Sequence, residues 1–428
     1  MSLYKEVVAS IALAVLIGGL AVKSKFPKVP AWSIMAFASF IVTAGGLVPF
    51  DELGSVIDLN VVLFLIGMFS IVSMAESSGL LDAIAYWFLN RVNSTKALLT
   101  TLSLLFGLLS AFTVNDAVAL MGPPIVATAA RISGIELEPL VLLLAFSVTI
   151  GSVMSPIGNP QNVLIAVQSG IATPLLTFLE YLSIPTLINL LVLSQLIARW
   201  YRVPARRLSA AFVPSEYIKN RRDAYLAGGA LLAVISALLI NDVLTLLGLP
   251  HVDNIGFIPF VVAAAVYIFS SEPRRVLEEV NWGTIVFFIS MFIMMGGVWN
   301  SGLLQPAVGV LMPERRGALA DIAAITAESL LFSQALSNVP FTEFFIQYMK
   351  SLGYGPHDGW AWLTLASAAT IAGNLTLLGA ASNIIILEVI ESKYSTTIKF
   401  GEFSKIGALI TAINLALYFP FLYLASAQ

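Results

Sequence analysis

Four asparagines interrupt otherwise apolar stretches of the 428-residue chain, and they fall into two similar pairs. Asn115 lies in TVND and Asn338 in LSNVP. Asn162 lies in SPIGNPQN and Asn383 in LLGAASN. Amide oxygens are ligands for hard cations such as Na⁺, and amide side chains also cap helix ends. If the four meet inside one fold, they form a site for a small ion or a small anion. For each asparagine alone, a plain helix cap is the alternative.

The segment 155–162 is predicted to break a membrane helix, because it holds two prolines, a glycine and two asparagines. A second break is expected at Gly379. Each break starts a new half-helix whose free N–H groups attract anions, while the freed carbonyl groups can hold Na⁺. The predicted binding residues are Asn115, Asp116, Gly158, Asn159, Asn162, Ser337, Asn338, Asn374, Gly379, Ser382 and Asn383, with a candidate Na⁺ near Asn115 and Asn338.

Three acidic residues in apolar surroundings are candidates for proton coupling. Asp116 follows Asn115, Glu343 lies shortly after Asn338, and Glu76 precedes a Ser-Ser-Gly sequence. Ionisable groups inside membrane spans are costly and are usually functional, and a carboxylate removed from water holds a proton more readily. We expect Asp116 to be the main coupling residue. For Glu76 and Glu343 the alternative is a position facing the membrane interface or water.

The elements that must position these residues are membrane helices. The chain is 58% hydrophobic and 11% charged, with a mean hydropathy of +0.91, whereas soluble domains carry about 25% charged residues. The first apolar run is expected to be retained rather than cleaved as a signal peptide. Ten apolar runs are predicted to span the membrane, at 7–22, 30–48, 60–80, 139–169, 179–198, 223–247, 255–271, 282–303, 360–390 and 405–425.

Two further apolar segments, 97–131 and 318–349, contain a polar kink and are predicted to be re-entrant hairpins. An Asn or Ser at each hairpin tip is expected to cap the returning arm. The alternative is that each segment is simply two transmembrane helices joined by a tight turn.

The two halves of the chain resemble each other. The stretch at 67–80 matches that at 290–303, and Asn115 corresponds to Asn338 at the same offset along the sequence. The stretch at 149–162 matches that at 370–383, at a nearly identical offset. Each half holds five spans and one hairpin, and because five is odd the second half must be inverted. The predicted fold is an all-α polytopic membrane protein with two inverted repeats, 1–200 and 223–428, joined by a basic linker at 201–222.

The basic residues give this topology an orientation. With the N-terminus outside, 18 of the 22 lysines and arginines fall on the side of the linker. The positive-inside rule therefore places the linker in the cytoplasm and the chain in the cell membrane.

Several other classes are excluded or disfavoured. Cysteine is absent and the two histidines lie beside loop signals, so no metal cofactor is expected. No Gly-rich phosphate loop and no HExxH motif is present, which disfavours an ATP-driven pump and an enzyme. The net charge of −3 does not suggest a nucleic-acid partner. The expected partners are membrane lipid and a small inorganic or organic anion, with H⁺ or Na⁺ as the coupling ion.

The motifs TVNDAVALMGPPIV, SPIGNPQNVLI, LSNVPFTEFF and GNLTLLGAASNIII resemble the ion transporter superfamily, in its branch of arsenite permeases, NhaD-type antiporters and citrate transporters. The resemblance implies a scaffold, a mobile transport domain, an elevator-like motion and a homodimer. Sodium-coupled dicarboxylate relatives carry Ser-Asn-Thr at both hairpin tips, whereas this chain has Val-Asn-Asp and Ser-Asn-Val. The expected function is proton-coupled export of a metalloid oxyacid such as arsenite or antimonite. The alternatives are a Na⁺/H⁺ antiporter and a Na⁺- or H⁺-coupled transporter of citrate or another dicarboxylate.

Overall fold

The protein is built from helices. The computed structural model describes residues 2–23, 29–208, 214–377, 379–394 and 396–427. Within these ranges the regular elements are helices, apart from one isolated antiparallel bridge between Ser94 and Arg207. Nine of the described helices are long and apolar enough to cross a membrane. The predicted class, an all-α polytopic membrane protein, is confirmed.

The described residues up to 208 contain ten α-helices. They are α1 Ser2–Lys23, α2 Ala31–Ala44, α3 Leu53–Val56, α4 Leu59–Ser77, α5 Leu80–Leu89, α6 Thr95–Thr113, α7 Asn115–Ser133, α8 Leu137–Gly151, α9 Pro160–Gln168 and α10 Pro174–Trp200. Short 3-10 helices lie at Phe50–Glu52 and Ser152–Met154.

The described residues from 214 onward contain ten more, after a 3-10 helix at Pro214–Tyr217. They are α11 Arg221–Leu246, α12 Phe257–Phe269, α13 Pro273–Glu278, α14 Trp282–Ser301, α15 Gln305–Val308, α16 Ala318–Leu336, α17 Asn338–Ser351, α18 Gly359–Ala372, α19 Ala381–Tyr394 and α20 Phe400–Ala425. The order of long and short helices follows that of the first ten; α6 and α16, for example, both have 19 residues.

Polar caps set the starts of several helices. The Asp58 carboxylate accepts hydrogen bonds from the first turn of α4, at 3.0 Å from the Asn60 nitrogen. The Ser94 hydroxyl accepts one from the Ala97 amide of α6, and the Asn220 side chain accepts one from Asp223 in α11. A membrane helix in apolar surroundings can satisfy its own backbone everywhere except at its ends, so these caps fix where the apolar spans begin.

Two predicted spans are each two helices rather than one. The run at 139–169 is α8 and α9, separated by residues 152–159, and the run at 360–390 is α18 and α19, separated by residues 373–380. Both predicted breaks are confirmed, although residue 378 lies outside the described part of the chain. The short helices α3, α5, α13 and α15 were not predicted, because they are too short to show an apolar run of spanning length.

Each predicted hairpin is a pair of helices joined at one residue. The pair α6–α7 is joined at Val114, and the pair α16–α17 is joined at Ser337. The first arms, α6 and α16, are long enough to cross a membrane by length and composition. A re-entrant path for these pairs therefore stays a prediction.

The two halves are interlocked. Helix α2 of the first half packs against α14 of the second, α4 packs against α12, and α10 packs against α20. Close approach is possible where α4 carries Gly67, since a Cβ atom there would lie 2.4 Å from the Pro259 carbonyl carbon. Small residues serve the same purpose in membrane helix packing generally.

The linker is tied to the first half at both of its described ends. The Thr95 hydroxyl donates to the Pro204 carbonyl at 2.7 Å, and the Arg206 nitrogen donates back to that hydroxyl at 3.1 Å. Further on, the Tyr217 ring stacks on Tyr86 with 3.7 Å between centroids. The predicted linker 201–222 is thus hydrogen-bonded to the first residue of α6. Its last two residues already belong to α11, which begins at Arg221. Residues 209–213 lie outside the described part of the chain.

We predict that Gly67→Ala destabilises the protein by about 1–3 kcal/mol, the usual cost of overpacking a tight contact. The added methyl group would collide with the backbone at Pro259 and Phe260. Thermal unfolding in detergent measures the effect. Gly229→Ala in α11 is the matched control, because nothing lies within 4 Å of its Cβ position. Equal unfolding temperatures for the two variants would contradict this view of the α4–α12 contact.

Candidate functional site

Asn162 and Asn383 close the two helix breaks in the same way. The Asn162 side-chain nitrogen donates to the carbonyl oxygens of Ser152 and Ser155, each at 3.0 Å. The Asn383 side-chain nitrogen donates to those of Gly373 at 2.9 Å and Thr376 at 3.4 Å. Gly373 corresponds to Ser152 in the repeat and Thr376 corresponds to Ser155, so both contacts of Asn383 repeat those of Asn162. We call these two side chains the break asparagines: their amide nitrogens satisfy carbonyls that the interrupted helices leave free.

The two predicted glycines are required by the same turns. A Cβ atom on Gly158 would lie 2.3 Å from the Ser152 carbonyl oxygen, and one on Gly379 would lie 2.8 Å from the Gly373 carbonyl oxygen. Any larger residue would push the loop away from the end of the preceding helix. The structure therefore gives Gly158 and Gly379 a packing role at the breaks.

Asn159 joins the first break to the second half. Its side-chain oxygen accepts a hydrogen bond from the Asn162 amide and so caps α9. Its side-chain nitrogen donates to the Ser152 hydroxyl at 3.0 Å and to the Thr370 hydroxyl at 3.2 Å. Gln161 also donates to the Thr370 hydroxyl. Because Thr370 lies in the last turn of α18, the two breaks meet across the boundary between the halves.

Each tip residue has a backbone conformation that is rare for its type. Val114 has φ 69° and ψ 132°, and Ser337, its counterpart in the second half, has φ 70° and ψ 156°. A positive φ costs a residue with a Cβ atom about 1–3 kcal/mol, and such strain clusters at functional sites. The expectation that Ser337 caps the returning arm is wrong, since its side chain makes no capping hydrogen bond and Val114 has no polar atom. With φ 70°, Ser337 does not have the negative-φ, extended backbone that a capping residue normally adopts.

The tips lie against the breaks. The Asn115 backbone nitrogen donates to the Gly158 carbonyl at 2.9 Å. The Asn338 side-chain nitrogen lies 3.2 Å from the Cβ position of Gly373, at the start of the second break. Across the boundary, the second half of each broken helix packs on the opposite pair, with α9 against α17 and α19 against α7. Four helix starts are thus gathered around one place, as predicted.

Several buried polar atoms around this place have no hydrogen-bond partner. Among them are the side-chain oxygens of Asn115 and Asn338. As whole residues, Asn115 and Asn338 are 8% and 5% exposed. Buried polar atoms are normally paired, so an unpaired set at one place indicates a ligand or ordered water. The other unpaired atoms here are the side-chain oxygen and nitrogen of Asn374, the side-chain oxygen of Asn383, and the hydroxyls of Thr342 and Ser382.

The predicted acidic residues lie in different surroundings. Asp116 is half-buried in the first turn of α7, beside the tip. Glu343 is buried, and its two oxygens accept hydrogen bonds from Gln347 at 3.1 Å and Gln168 at 3.0 Å. Glu76 lies in the last turns of α4, where the charged residues that influence it are Asp82, Glu279 and Lys219 and not the residues of the tips.

No basic side chain is buried among the residues whose side chains the structure describes. In that same part of the chain, no group of three or more His, Cys, Asp or Glu residues could hold a metal ion. The polar groups around the tips are therefore amides, hydroxyls and helix N–H groups. Such a set offers hydrogen-bond donors and acceptors together, without a charge that would balance a multiply charged anion.

Sequence reasoning missed some of the polar residues in this region. Thr342 follows Asn338 by one helical turn and is fully buried, which the i, i+4 spacing could have indicated. Thr370 is the first residue of the repeated stretch 370–383, and its contact with Asn159 has no signal in the sequence. Gln168 and its bond to Glu343 join α9 to α17 between distant parts of the sequence, and no local pattern signals such a contact.

Comparisons with known proteins agree with this architecture. A sequence model of the citrate transporter family, CitMHS, matches residues 5–369. The 46 kDa membrane protein of Mycobacterium leprae is 28% identical over 380 residues, 86% of each chain. The silicon efflux transporter LSI3 of Oryza sativa subsp. japonica is 25% identical and covers 90% of this chain and 91% of its own. The crystal structure of the YdaH transporter of Alcanivorax borkumensis has a similar fold, with a TM-score of 0.57 and 14% identity over 88% of this chain and 87% of that one.

We predict that Asn162→Ala destabilises the protein, because the carbonyls of Val153 and Ser155 would lose their side-chain donor and that of Ser152 would keep only Asn159. A buried polar group left unpaired costs about 1–3 kcal/mol. Thermal unfolding in detergent is the measurement. Asn115→Ala is the matched comparison, because the Asn115 side-chain oxygen has no partner to lose. We call Asn115 and Asn338 the tip asparagines. A larger loss of stability in Asn115→Ala than in Asn162→Ala would contradict the distinction between break and tip asparagines.

Proposed function

The chain belongs to the citrate transporter family, and within that family we propose that this secondary transporter exports a small hydroxylated oxyacid of a metalloid, such as arsenite, antimonite or silicic acid. We propose further that export is coupled to protons. The family match and the nine apolar helices support a multi-pass membrane transporter. The silicon efflux function in the name of a relative that covers 90% of this chain supports an oxyacid of this kind.

The observation that carries the proposal is the pair of unpaired oxygens on Asn115 and Asn338. Each lies at the first residue of a helix that has no side-chain cap. A neutral acid with several hydroxyl groups would donate to the two amide oxygens. It would also accept hydrogen bonds from the uncapped N–H groups of α7 and α17. With no cysteine in the chain, the site would hold such a solute by hydrogen bonds and not through thiolates.

Charge disfavours citrate or another dicarboxylate as the substrate. Carboxylates that leave water need a compensating charge or several strong donors. The described side chains include no buried lysine or arginine that could supply one. The helix starts give partial positive charge only, which suits a neutral or singly charged solute better.

A Na⁺/H⁺ antiporter is the second candidate, because unpaired amide oxygens are also ligands for Na⁺. The side-chain oxygens of Asn115, Asn338 and Asn383 would supply three such ligands. The hydroxyls of Thr342 and Ser382 favour the oxyacid instead, since they can both donate and accept.

The finer architecture is part of the same proposal. Ten described helices on each side of the linker, with contacts that recur at a nearly constant sequence offset, support two inverted repeats. On this view α6–α7 and α16–α17 are re-entrant hairpins that carry the tips, the protein is a homodimer, and transport is elevator-like. The excess of basic residues on the side of the linker supports an outside N-terminus.

Transport in everted membrane vesicles tests the substrate. We expect arsenite or antimonite to accumulate in vesicles that contain the protein and are energised by a proton gradient, and we expect the accumulation to stop when the gradient is collapsed. Sodium-dependent proton movement without metalloid transport would replace the proposal with the antiporter. Accumulation of citrate without metalloid transport would replace it with the organic anion transporter.

We predict that Asn115→Ala and Asn338→Ala each reduce metalloid transport by about tenfold or more, because one lost hydrogen bond of about 1.4 kcal/mol changes an equilibrium tenfold. Both variants should remain folded, since the removed oxygens have no partner in the protein. The control is Asn254→Ala, which removes an exposed asparagine of the loop before α12. Normal flux in both tip variants would rule out these two asparagines as the binding residues.

A further inference from the structure

The second helix pair, α16–α17, contains an acidic residue that lies outside the site described above. Glu328 is in the middle of α16 and is completely buried. Neither of its carboxylate oxygens has a hydrogen-bond partner. The equivalent position in α6, at the offset that relates Asn115 to Asn338, is the buried apolar residue Leu105. The acid is thus present in one repeat only.

Glu328 faces the interior of the protein. Residues on the opposite side of α16 line a groove of about 370 Å³ against α20, and that groove is bordered by Thr326 and Ala327 but not by Glu328. Tyr348 of α17 lies close enough to Glu328 for the two groups to interact, and its hydroxyl donates to the Met312 carbonyl at 2.8 Å. Glu328 therefore points away from the groove and into the protein, within reach of Tyr348.

The charged and titratable groups around α16 do not neutralise Glu328. On α16 itself, Asp321 accepts hydrogen bonds from the Arg316 nitrogen and the Tyr354 hydroxyl. On α17, Tyr348 lies within reach of Glu328, Glu343 is bonded to α9, and Lys350 is exposed in the last turn. Helix α18 has no titratable residue.

The remaining neighbours of α16 are α1 and α20. The described titratable side chains of α1 are Tyr4, Lys5 and Glu6, none of them buried; those of α20 are Glu402, Lys405, Tyr418 and Tyr423, none of which lines the groove against α16. No ion pair among the described residues includes Glu328.

A bare carboxylate in such a place would be very unfavourable, because a buried charge needs a partner. The neutral acid avoids that cost, and its hydroxyl needs only one acceptor. We propose that Glu328 is a proton-binding site, and that it carries the proton that drives transport. The proton is held while the helices packed on α16 enclose the carboxyl group, and it is released when movement of the α16–α17 pair relative to them opens the carboxyl group to water. The coupling role rests on the proton-coupled export proposed above.

The position of Glu328 suits this role. It lies eight residues before the end of α16, about 12 Å along the helix axis at 1.5 Å per residue. A solute at Asn338 and a proton at Glu328 would thus occupy separate places on one rigid pair of helices. A movement of the pair would carry both.

Two measurements on the full-length protein test the proposal. The first is infrared difference spectroscopy of purified protein across a pH titration. We expect a protonated-carboxyl band that is lost in Glu328→Gln and kept in Glu180→Gln, which removes an exposed carboxylate of α10. The same spectrum for wild type and Glu328→Gln would overturn the proposal. If Glu328→Gln does not fold, Glu328→Leu replaces it, since the first pair already buries a leucine at position 105.

The second measurement separates coupling from substrate binding, with arsenite as the probe in proteoliposomes. We expect Glu328→Gln to keep arsenite counterflow, which needs no proton, and to lose accumulation driven by a proton gradient. Gradient-driven accumulation that survives in Glu328→Gln but is lost in Asp116→Asn would assign the coupling to Asp116 and overturn the proposal. If wild-type protein shows counterflow but no response to the proton gradient, proton-coupled export itself fails. The infrared band then decides separately whether Glu328 binds a proton.

Discussion

The structure depends on satisfying backbone groups where a membrane helix is interrupted. The core of a bilayer contains no water that could donate a hydrogen bond to a free carbonyl. Broken helices are therefore stable only where the protein supplies hydrogen-bond partners. Asn162 and Asn383 supply donors to the ends of α8 and α18, at the same relative positions in both halves. Gly158 and Gly379 let the loops approach closely enough for those bonds to form. Without this arrangement the chain would have no stable place at which four helix starts could meet.

The same arrangement distinguishes the two pairs of asparagines by their hydrogen bonds. The side-chain nitrogens of the break asparagines are used by the backbone, whereas the side-chain oxygens of Asn115 and Asn338 remain unpaired. The strained residues Val114 and Ser337 precede the latter pair, and neither helix start has a side-chain cap. In the proposed function, packing elsewhere holds these two oxygens in place, and a hydroxylated solute would complete the hydrogen bonds that the protein leaves open.

Some of this could be predicted from the sequence, and the reasons are physical. Long apolar runs must be helices in a membrane, so most of the spans were predictable. Two prolines, a glycine and two asparagines within eight residues indicated the first break, and the similarity of the two halves indicated the second at Gly379. Short helices such as α5, Leu80–Leu89, leave no comparable signal. The separate roles of Asn162 and Asn115 depend on which carbonyls lie nearby, and the isolation of Glu328 depends on which helices surround α16. Both are properties of tertiary packing that no local pattern contains.

The central claim is that the tip asparagines bind the transported oxyacid. Anomalous X-ray diffraction from crystals of the protein grown with arsenite would locate the arsenic atom directly. The account predicts one strong peak in contact with the side chain of Asn115 or Asn338 and with the first turn of α7 or α17. A peak only elsewhere in the protein, or none at an arsenite concentration that saturates transport, would contradict it.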